Sequence, residues 1–485
     1  MIVRGFLLVL LSFANLQLIW SPDVLPNTLL AWTLLRSGDL NFDEFTVAAG
    51  TSPSRSPGPE RADQLDRETY FFRACGRSTA SEAPKVPRSA GGPPAAGPND
   101  HICSIFPPGM AFLALPVFAP AVLAGVPPSD TPTLFYLGHL AAAIVEAIAT
   151  LLLLSIMRRF VGRRSAFLLA LLYALGTSVR TVASQALWQH AGVHLFLSLA
   201  LWLVLREEPV SLARQLVAGL ALGLAGVVRQ TAALALVGLA GLRRLPLVAL
   251  AAGVGLAPLL VYNAVAFGNA FEQGYGAKPF DAPITIGLYG LIASPSRGLL
   301  VYEPYAAFAL VALGLAWRRD GQVARRLRVL GLVWIASLVL YASYAEWWGG
   351  RVFGPRFLDD QAPILFAALA WGIGRAGLVS TRWHRIVFGV LALWSLVLFN
   401  AAALVYDLRW DTVPLNVNVH PERLLDWSDP QWLAVIASLP SGGARAATGL
   451  VLSLLTIGVL LRLEGVTIRR SPSVATHADR PGTGH

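Results

Sequence analysis

Long apolar runs separated by short polar turns repeat along most of the chain, from its first residues to position 463. A membrane-crossing helix needs about 20 mostly apolar residues, so each run is a candidate span. The first, residues 2–20, carries one early arginine, Arg4, and no small-residue cleavage site behind it. It therefore reads as an anchoring helix and not as a removed signal peptide. Orientation follows the arginines, because short cytoplasmic loops collect them. Arg158, Arg159, Arg163 and Arg164 crowd one turn, and Arg318, Arg319, Arg325, Arg326 and Arg328 crowd another against a lone Asp320. Both turns are expected inside.

If residues 2–20 run outward and the Arg158 turn is inside, a single span fits between them. Residues 134–157 are uninterrupted, whereas 107–126 carries Pro107, Pro108, Pro116 and Pro120, each of which removes a backbone donor. The former is predicted to cross, the latter to be juxtamembrane or re-entrant. Further spans are expected at 165–182, 191–205, 215–228, 231–242, 245–267, 298–317, 329–345, 361–379, 386–406 and 446–463. The predicted fold class is an all-α polytopic membrane protein of about twelve transmembrane helices, with both termini cytoplasmic. It forms one membrane-embedded domain over residues 1–470, followed by a disordered tail at 471–485. Spans 215–228 and 231–242 are short, which leaves Arg229 and Gln230 in a recess below the outer surface. The alternative is one long helix with Arg229 paired inside it.

The first extracytoplasmic loop, 21–133, is large enough to be functional and to carry juxtamembrane helices. Its stretches 51–62 and 83–98 are rich in Pro, Gly and Ser and are expected to be mobile. The other outer segments are 268–297, 346–360 and 407–445. No internal repeat of fixed period is evident.

Composition agrees with a membrane protein, at 55% hydrophobic and 14% charged residues. The formal charge of +10 comes from 38 basic residues scattered between apolar runs, which argues against nucleic acid as a partner. Two cysteines exclude a disulfide scaffold and a cysteine-built metal or iron–sulfur site. Cys75 and Cys103 both fall in the first outer loop, an oxidising compartment, and a disulfide between them is predicted.

The candidate chemistry lies on the outer side. Asp39, Asp43 and Glu44 stand in SGDLNFDEF, just after the apolar segment 29–35. A carboxylate held there beside lipid gains basicity and is suited to take a proton from an incoming hydroxyl, the alternative being that Asp39 and Asp43 cap turns. Arg229, Arg297, Arg351 and Arg356 lie at outward span ends, against the positive-inside trend, with Lys278 a weaker candidate of the same kind. A guanidinium fork matches a lipid phosphate at this depth; the alternative is headgroup contact, or pairing with Glu303, Asp359 and Asp360. Trp347 and Trp348 are candidates to stack on a sugar, or else interface-belt residues. His190, beside Gln189, has no second metal ligand at helical spacing, so it is read as an acceptor or sugar contact. No phosphate loop, Ser-His-Asp arrangement or HExxH motif is present.

In sequence order, the chain shows a first helix, a long outer loop with FDE, the proline-rich FPPGMAFLALP, a basic RRFVGRR turn, and a basic residue between two short helices. This order resembles the C-type superfamily of polytopic membrane glycosyltransferases, which includes protein O-mannosyltransferases and lipid A aminoarabinose transferases. SPSRGLLVYEP and WWGGRVFGPRFL are similar to segments of poorly characterised bacterial members. The resemblance covers roughly residues 2–370.

The resemblance implies inverting transfer of a sugar from a polyprenyl-phosphate donor to a hydroxyl of a lipid, glycan or protein acceptor. The active site would face outward from a bacterial cytoplasmic (inner) membrane, among membrane lipids. By motif match Asp43 takes the catalytic carboxylate position with Glu44 beside it, and Arg229 that of the basic residue on the lipid phosphate. No cofactor is required in principle, although a divalent cation is an alternative or an aid to the arginines. A transporter or flippase of a lipid-linked or anionic solute is the rival reading, but the inverted repeats common in transporters are not evident. A non-catalytic scaffold would need none of the carboxylate and arginine pairing.

Overall fold

The computed structural model describes residues 2–46, 71–75, 101–239, 244–272, 274 and 280–465. Stretches 51–62 and 83–98, Lys278 and the tail 471–485 lie outside the described residues. Helix α1 (Ile2–Phe13) leads to α2 (Leu25–Arg36), then to a hairpin of β1 (Phe72–Cys75) and β2 (His101–Ser104). There follow α3 (Gly109–Leu123), α4 (Thr131–Met157), α5 (Arg163–Leu175), α6 (Gln189–Val204), α7 (Leu212–Val228), α8 (Ala235–Leu239) and α9 (Leu245–Phe267). The second half holds α10 (Ile284–Ala293), α11 (Leu299–Tyr302), α12 (Ala306–Leu315), α13 (Gln322–Ser343) and α14 (Arg356–Asp359). It closes with α15 (Ala362–Arg375), α16 (Arg382–Val405), α17 (Arg409–Thr412), α18 (Gln431–Ala437) and α19 (Gly443–Leu463).

Four helices among the described residues are long and apolar enough to cross a membrane unaided: α4, α9, α16 and the C-terminal Leu439–Leu463. Shorter apolar helices pack between them. Val254, Val261 and Val265 of α9, and Val451, Leu454 and Leu455 of α19, point outward, which is favourable in lipid and costly in water. The chain is an integral membrane protein.

Several expected spans are interrupted, each for a local reason. The first helix stops at Phe13, not near residue 20, and Leu16 takes a left-handed conformation. Side-chain amides support the non-helical stretch: Asn15 Nδ2 donates to Gln185 Oε1 at 2.7 Å and Gln17 Nε2 to the Ala403 carbonyl at 2.7 Å. The span at 165–182 breaks after α5, and a π-helical turn at Val179–Ala183 buries Arg180. Pro304 divides the span at 298–317 into α11 and α12, since proline cannot donate within a helix. The outer segment 268–297 contains a helix of its own, α10. Residues 107–126 form α3, which tolerates Pro116 and Pro120 in its interior and packs along α2.

Helices α7 and α9 run parallel in close contact. A Cβ added to Gly223 would stand 2.0 Å from the Ala252 carbonyl, and one on Gly219 would stand 2.5 Å from that of Val248, so small residues let the two backbones meet. This register sets Val228, the last residue of α7, level with Ala257, ten residues before the end of α9. At 1.5 Å per residue, Arg229 lies about 15 Å below that end.

The basic turns share one end of the molecule. There Glu464 receives Arg4, Arg158 and Arg163 at 2.5, 3.2 and 2.7 Å, and Arg159 and Arg244 donate to the Leu205 and Val210 carbonyls. Described segments of the outer loops meet at the opposite end. A disulfide joins Cys75 to Cys103, and the hairpin it holds sits over the end of α9. Arg73 there pairs with Glu272 at 2.7 Å and covers the Phe267 ring, while Tyr262 donates to the Ser104 carbonyl.

Candidate functional site

The chain breaks between α7 and α8 without glycine or proline. Arg229 is extended (φ −155°, ψ 117°), and its amide caps α7 by donating to Ala225. Its guanidinium reaches the loop between α13 and α15, where Gly354, at a positive φ of 81°, and Pro355 start the short turn α14. That turn carries Arg356 and the buried carboxylates Asp359 and Asp360.

The side chains of four elements meet there. Asp360 accepts from Tyr341 at 3.2 Å, lies 3.3 Å from Arg229 Nε, and takes His190 Nδ1 at 2.8 Å. His190 Nε2 faces only donors: Arg356 Nε at 3.1 Å and Arg229 Nη1 at 3.3 Å. A nitrogen facing two guanidiniums must offer its lone pair, so His190 is the neutral Nδ1–H tautomer, donating to Asp360 and accepting from both arginines. Arg356 Nη1 extends the chain of contacts to Asp23 Oδ2 at 2.7 Å and to the Gly349 carbonyl at 2.9 Å. Arg229 also lies over the stacked rings of Tyr341 and Phe357.

One turn deeper on α6, His194 repeats the motif with the neighbouring carboxylate. Its Nε2 donates to the Asp359 carbonyl at 2.8 Å, and its Nδ1 meets Glu146 Oε2 at 2.9 Å. Tyr173 donates to the other Glu146 oxygen at 2.8 Å. Among the described residues no group of three or more His, Cys, Asp or Glu side chains is placed to hold a metal ion.

Three residues named from sequence, Arg229, Arg356 and His190, therefore converge. Others are placed differently. Arg297 is sealed inside: Nε donates to Trp348 O, Nη1 to Ser296 O and Gln431 Oε1, and Nη2 to Gly350 O and Asp411 Oδ1. All five N–H groups are used, so the expected phosphate ligand is a structural ion pair, and its partner is Asp411, none of the carboxylates anticipated. Trp347 and Trp348 are buried as well, Trp347 against Gly290 and Trp348 with its Nε1 on Asn418, so neither offers a face to a sugar. Arg351 is half-buried in the adjoining turn.

Asp43 belongs to the hairpin. Its Oδ2 lies 2.5 Å from His101 Nδ1 and its Oδ1 accepts from the Ile102 amide; neither contact touches the arginines. Phe45, two residues on, meets Trp32 in the far half of α2, nine residues and about 14 Å along the helix from Asp23. Glu44 accepts from Ser37, and burial pushes its carboxyl above the ordinary range. Asp39 keeps one buried oxygen without a hydrogen-bond partner among the described residues.

Sequence reasoning passed over Asp23. Its signal was position: it stands in SPD, where the first apolar run ends and α2 begins. Asp360 had been noted only as a pairing partner for arginine.

Fold and composition together define a multi-pass membrane protein, and its fold is similar to that of one solved structure. That structure is ArnT from Cupriavidus metallidurans in the apo state. It superposes with a TM-score of 0.50 at 15% identity, over 96% of this chain and 77% of that one. No protein-family model and no curated protein matches the sequence.

Proposed function

We propose that the protein transfers a sugar from a polyprenyl-phosphate donor to an acceptor hydroxyl at the outer face of a bacterial inner membrane, with inversion at the anomeric carbon. The observation that carries this reading is the convergence of Arg229 and Arg356 on His190, with Asp23 on the far edge of Arg356. In the reaction the acceptor oxygen attacks the anomeric carbon as its proton passes to a carboxylate, and the bonding pair to the leaving oxygen goes to the phosphate. Arginines in a water-poor site stabilise that growing charge. One displacement without a covalent intermediate inverts the centre. Asp23, in contact with Arg356, is the base in this reading; Asp43, chosen by motif, is the competing candidate, with Asp39 and Glu44 beside it. Trp347, Trp348 and Arg297 have no part in it.

Transfer of labelled sugar from lipid donor to membrane acceptor decides between the carboxylates. Asp23→Asn is expected to cut turnover by about 10²-fold or more with the fold retained, and Asp43→Asn to keep most of it. The reverse result would return the base to Asp43. Full activity in both variants would remove carboxylate catalysis at either position.

A further inference from the structure

Arg356 divides its guanidinium between two unlike acceptors. On one edge Nε donates to the lone pair of His190, whose side chain is 0% exposed. On the other, Nη1 serves the Gly349 carbonyl and Asp23, whose side chain is 26% exposed. The Asp23 edge is the more exposed of the two and is the one a ligand would meet. Firm recognition of a phosphate by arginine uses two parallel N–H groups, and the pair reachable from that side is Nη1 with Nη2. Both hydrogens of Nη1 already have acceptors, one a backbone carbonyl and the other Asp23.

Charge points the same way. Arg229 pairs with Asp360 and Arg356 with Asp23, and His190 is neutral by its hydrogen bonds. An added phosphate competes with these carboxylates for the same guanidiniums. Asp360 is 1% exposed and held by His190, Arg229 and Tyr341. Asp23 sits instead on the three-residue turn Pro22–Val24, at the end of the non-helical stretch that follows α1. Of the two, Asp23 is the one with room to move.

We propose that the Asp23–Arg356 contact is a latch opened by the donor. The lipid phosphate takes the Nη1–Nη2 edge of Arg356, His190 keeps the Nε edge in register, and the Asp23 carboxylate, displaced from that guanidinium, accepts the acceptor's proton. Held by a guanidinium, Asp23 is a weak base; released, it is a stronger one. Binding of the donor thereby unmasks the catalytic group, and an acceptor arriving first meets a base that is still held. This inference rests on the lipid-phosphate reading above and adds an order of events to it.

Calorimetric binding of a short-chain polyprenyl phosphate to the full chain in nanodiscs tests the latch. Removing the competing carboxylate in Asp23→Asn is expected to tighten binding by about tenfold or more. Asp23→Ala is expected to do the same and serves if the asparagine variant does not fold. Glu422→Gln, which removes a charge from an exposed loop residue paired with His420, is expected to change affinity less than about twofold. Unchanged or weaker binding by the folded Asp23 variants overturns the latch, as does equal tightening in Glu422→Gln. If the parent and every variant fail to bind polyprenyl phosphate, the donor reading itself falls and the latch with it.

Discussion

Arg297 Nη2 stands 2.8 Å from Asp411 Oδ1, and both side chains are sealed from solvent. The pair fastens the segment before α11 to the loop after α16, and Gln431 of α18 completes it by donating to both oxygens of Asp411. Removing one partner of such a pair strands the other in a low-dielectric interior. Arg297→Ala is expected to cost about 3–5 kcal/mol of stability, read as an earlier unfolding transition in detergent. Donor affinity in the surviving folded fraction should be unaltered. A variant that melts like the parent and binds donor poorly would restore Arg297 to the phosphate ligands.

His190 is expected to be a positioning residue that acts through the arginines. In His190→Asn the amide NH₂ can still donate to Asp360, but the shorter side chain leaves no acceptor at the Nε2 position that Arg356 and Arg229 face. Donor binding should fall by about tenfold with the melting temperature little changed. Equal losses of stability and binding would make His190 a packing residue instead.

How far the sequence foretold this structure depends on the range of the interactions that set each feature. Residues 245–267 were bounded correctly as a helix, because a continuous apolar run and the Gly268 cap are local signals. The helix break at Arg229 was also legible, as a dip in apolar length. The end of α1 was not, because Asn15 and Gln17 satisfy backbone and amide groups on residues 185 and 403, which no local pattern announces. Asp23 was missed for the same reason: its partner Arg356 is 333 positions away. Arg297 misled in the opposite sense, since its placement at a span end predicted an external anion while the chain supplied an internal one.

The α7–α9 contact gives a test of how packing supports the site. Gly223→Ala places a methyl group against the Ala252 backbone, which cannot turn aside as a side chain would. A cost of about 1–3 kcal/mol is expected, and because α7 ends at Arg229, donor affinity should weaken along with stability. Gly253→Ala, on the same helix α9 with nothing within 4 Å of the new Cβ, is the control and should be neutral. Comparable effects from both variants would mean that flexibility of α9, not its approach to α7, sets the position of Arg229.

The disulfide bears on the first loop. Cys75 and Cys103 are 28 positions apart, and closing such a loop in the unfolded chain contributes on the order of 3 kcal/mol in the chain-entropy model. The hairpin it closes holds Asp43 through His101 and Ile102 and reaches α9 through Arg73 and Tyr262. In Cys75→Ser/Cys103→Ser, protease cleavage within residues 47–100 should accelerate, while the Arg229–His190–Arg356 contacts, which involve no hairpin residue, should keep their affinity for a polyprenyl phosphate. A parallel loss of donor binding would show that the hairpin belongs to the site, and would reopen the case for Asp43. Mass spectrometry of freshly purified, unreduced protein gives the prior check: two free thiols would remove the bridge and this prediction with it.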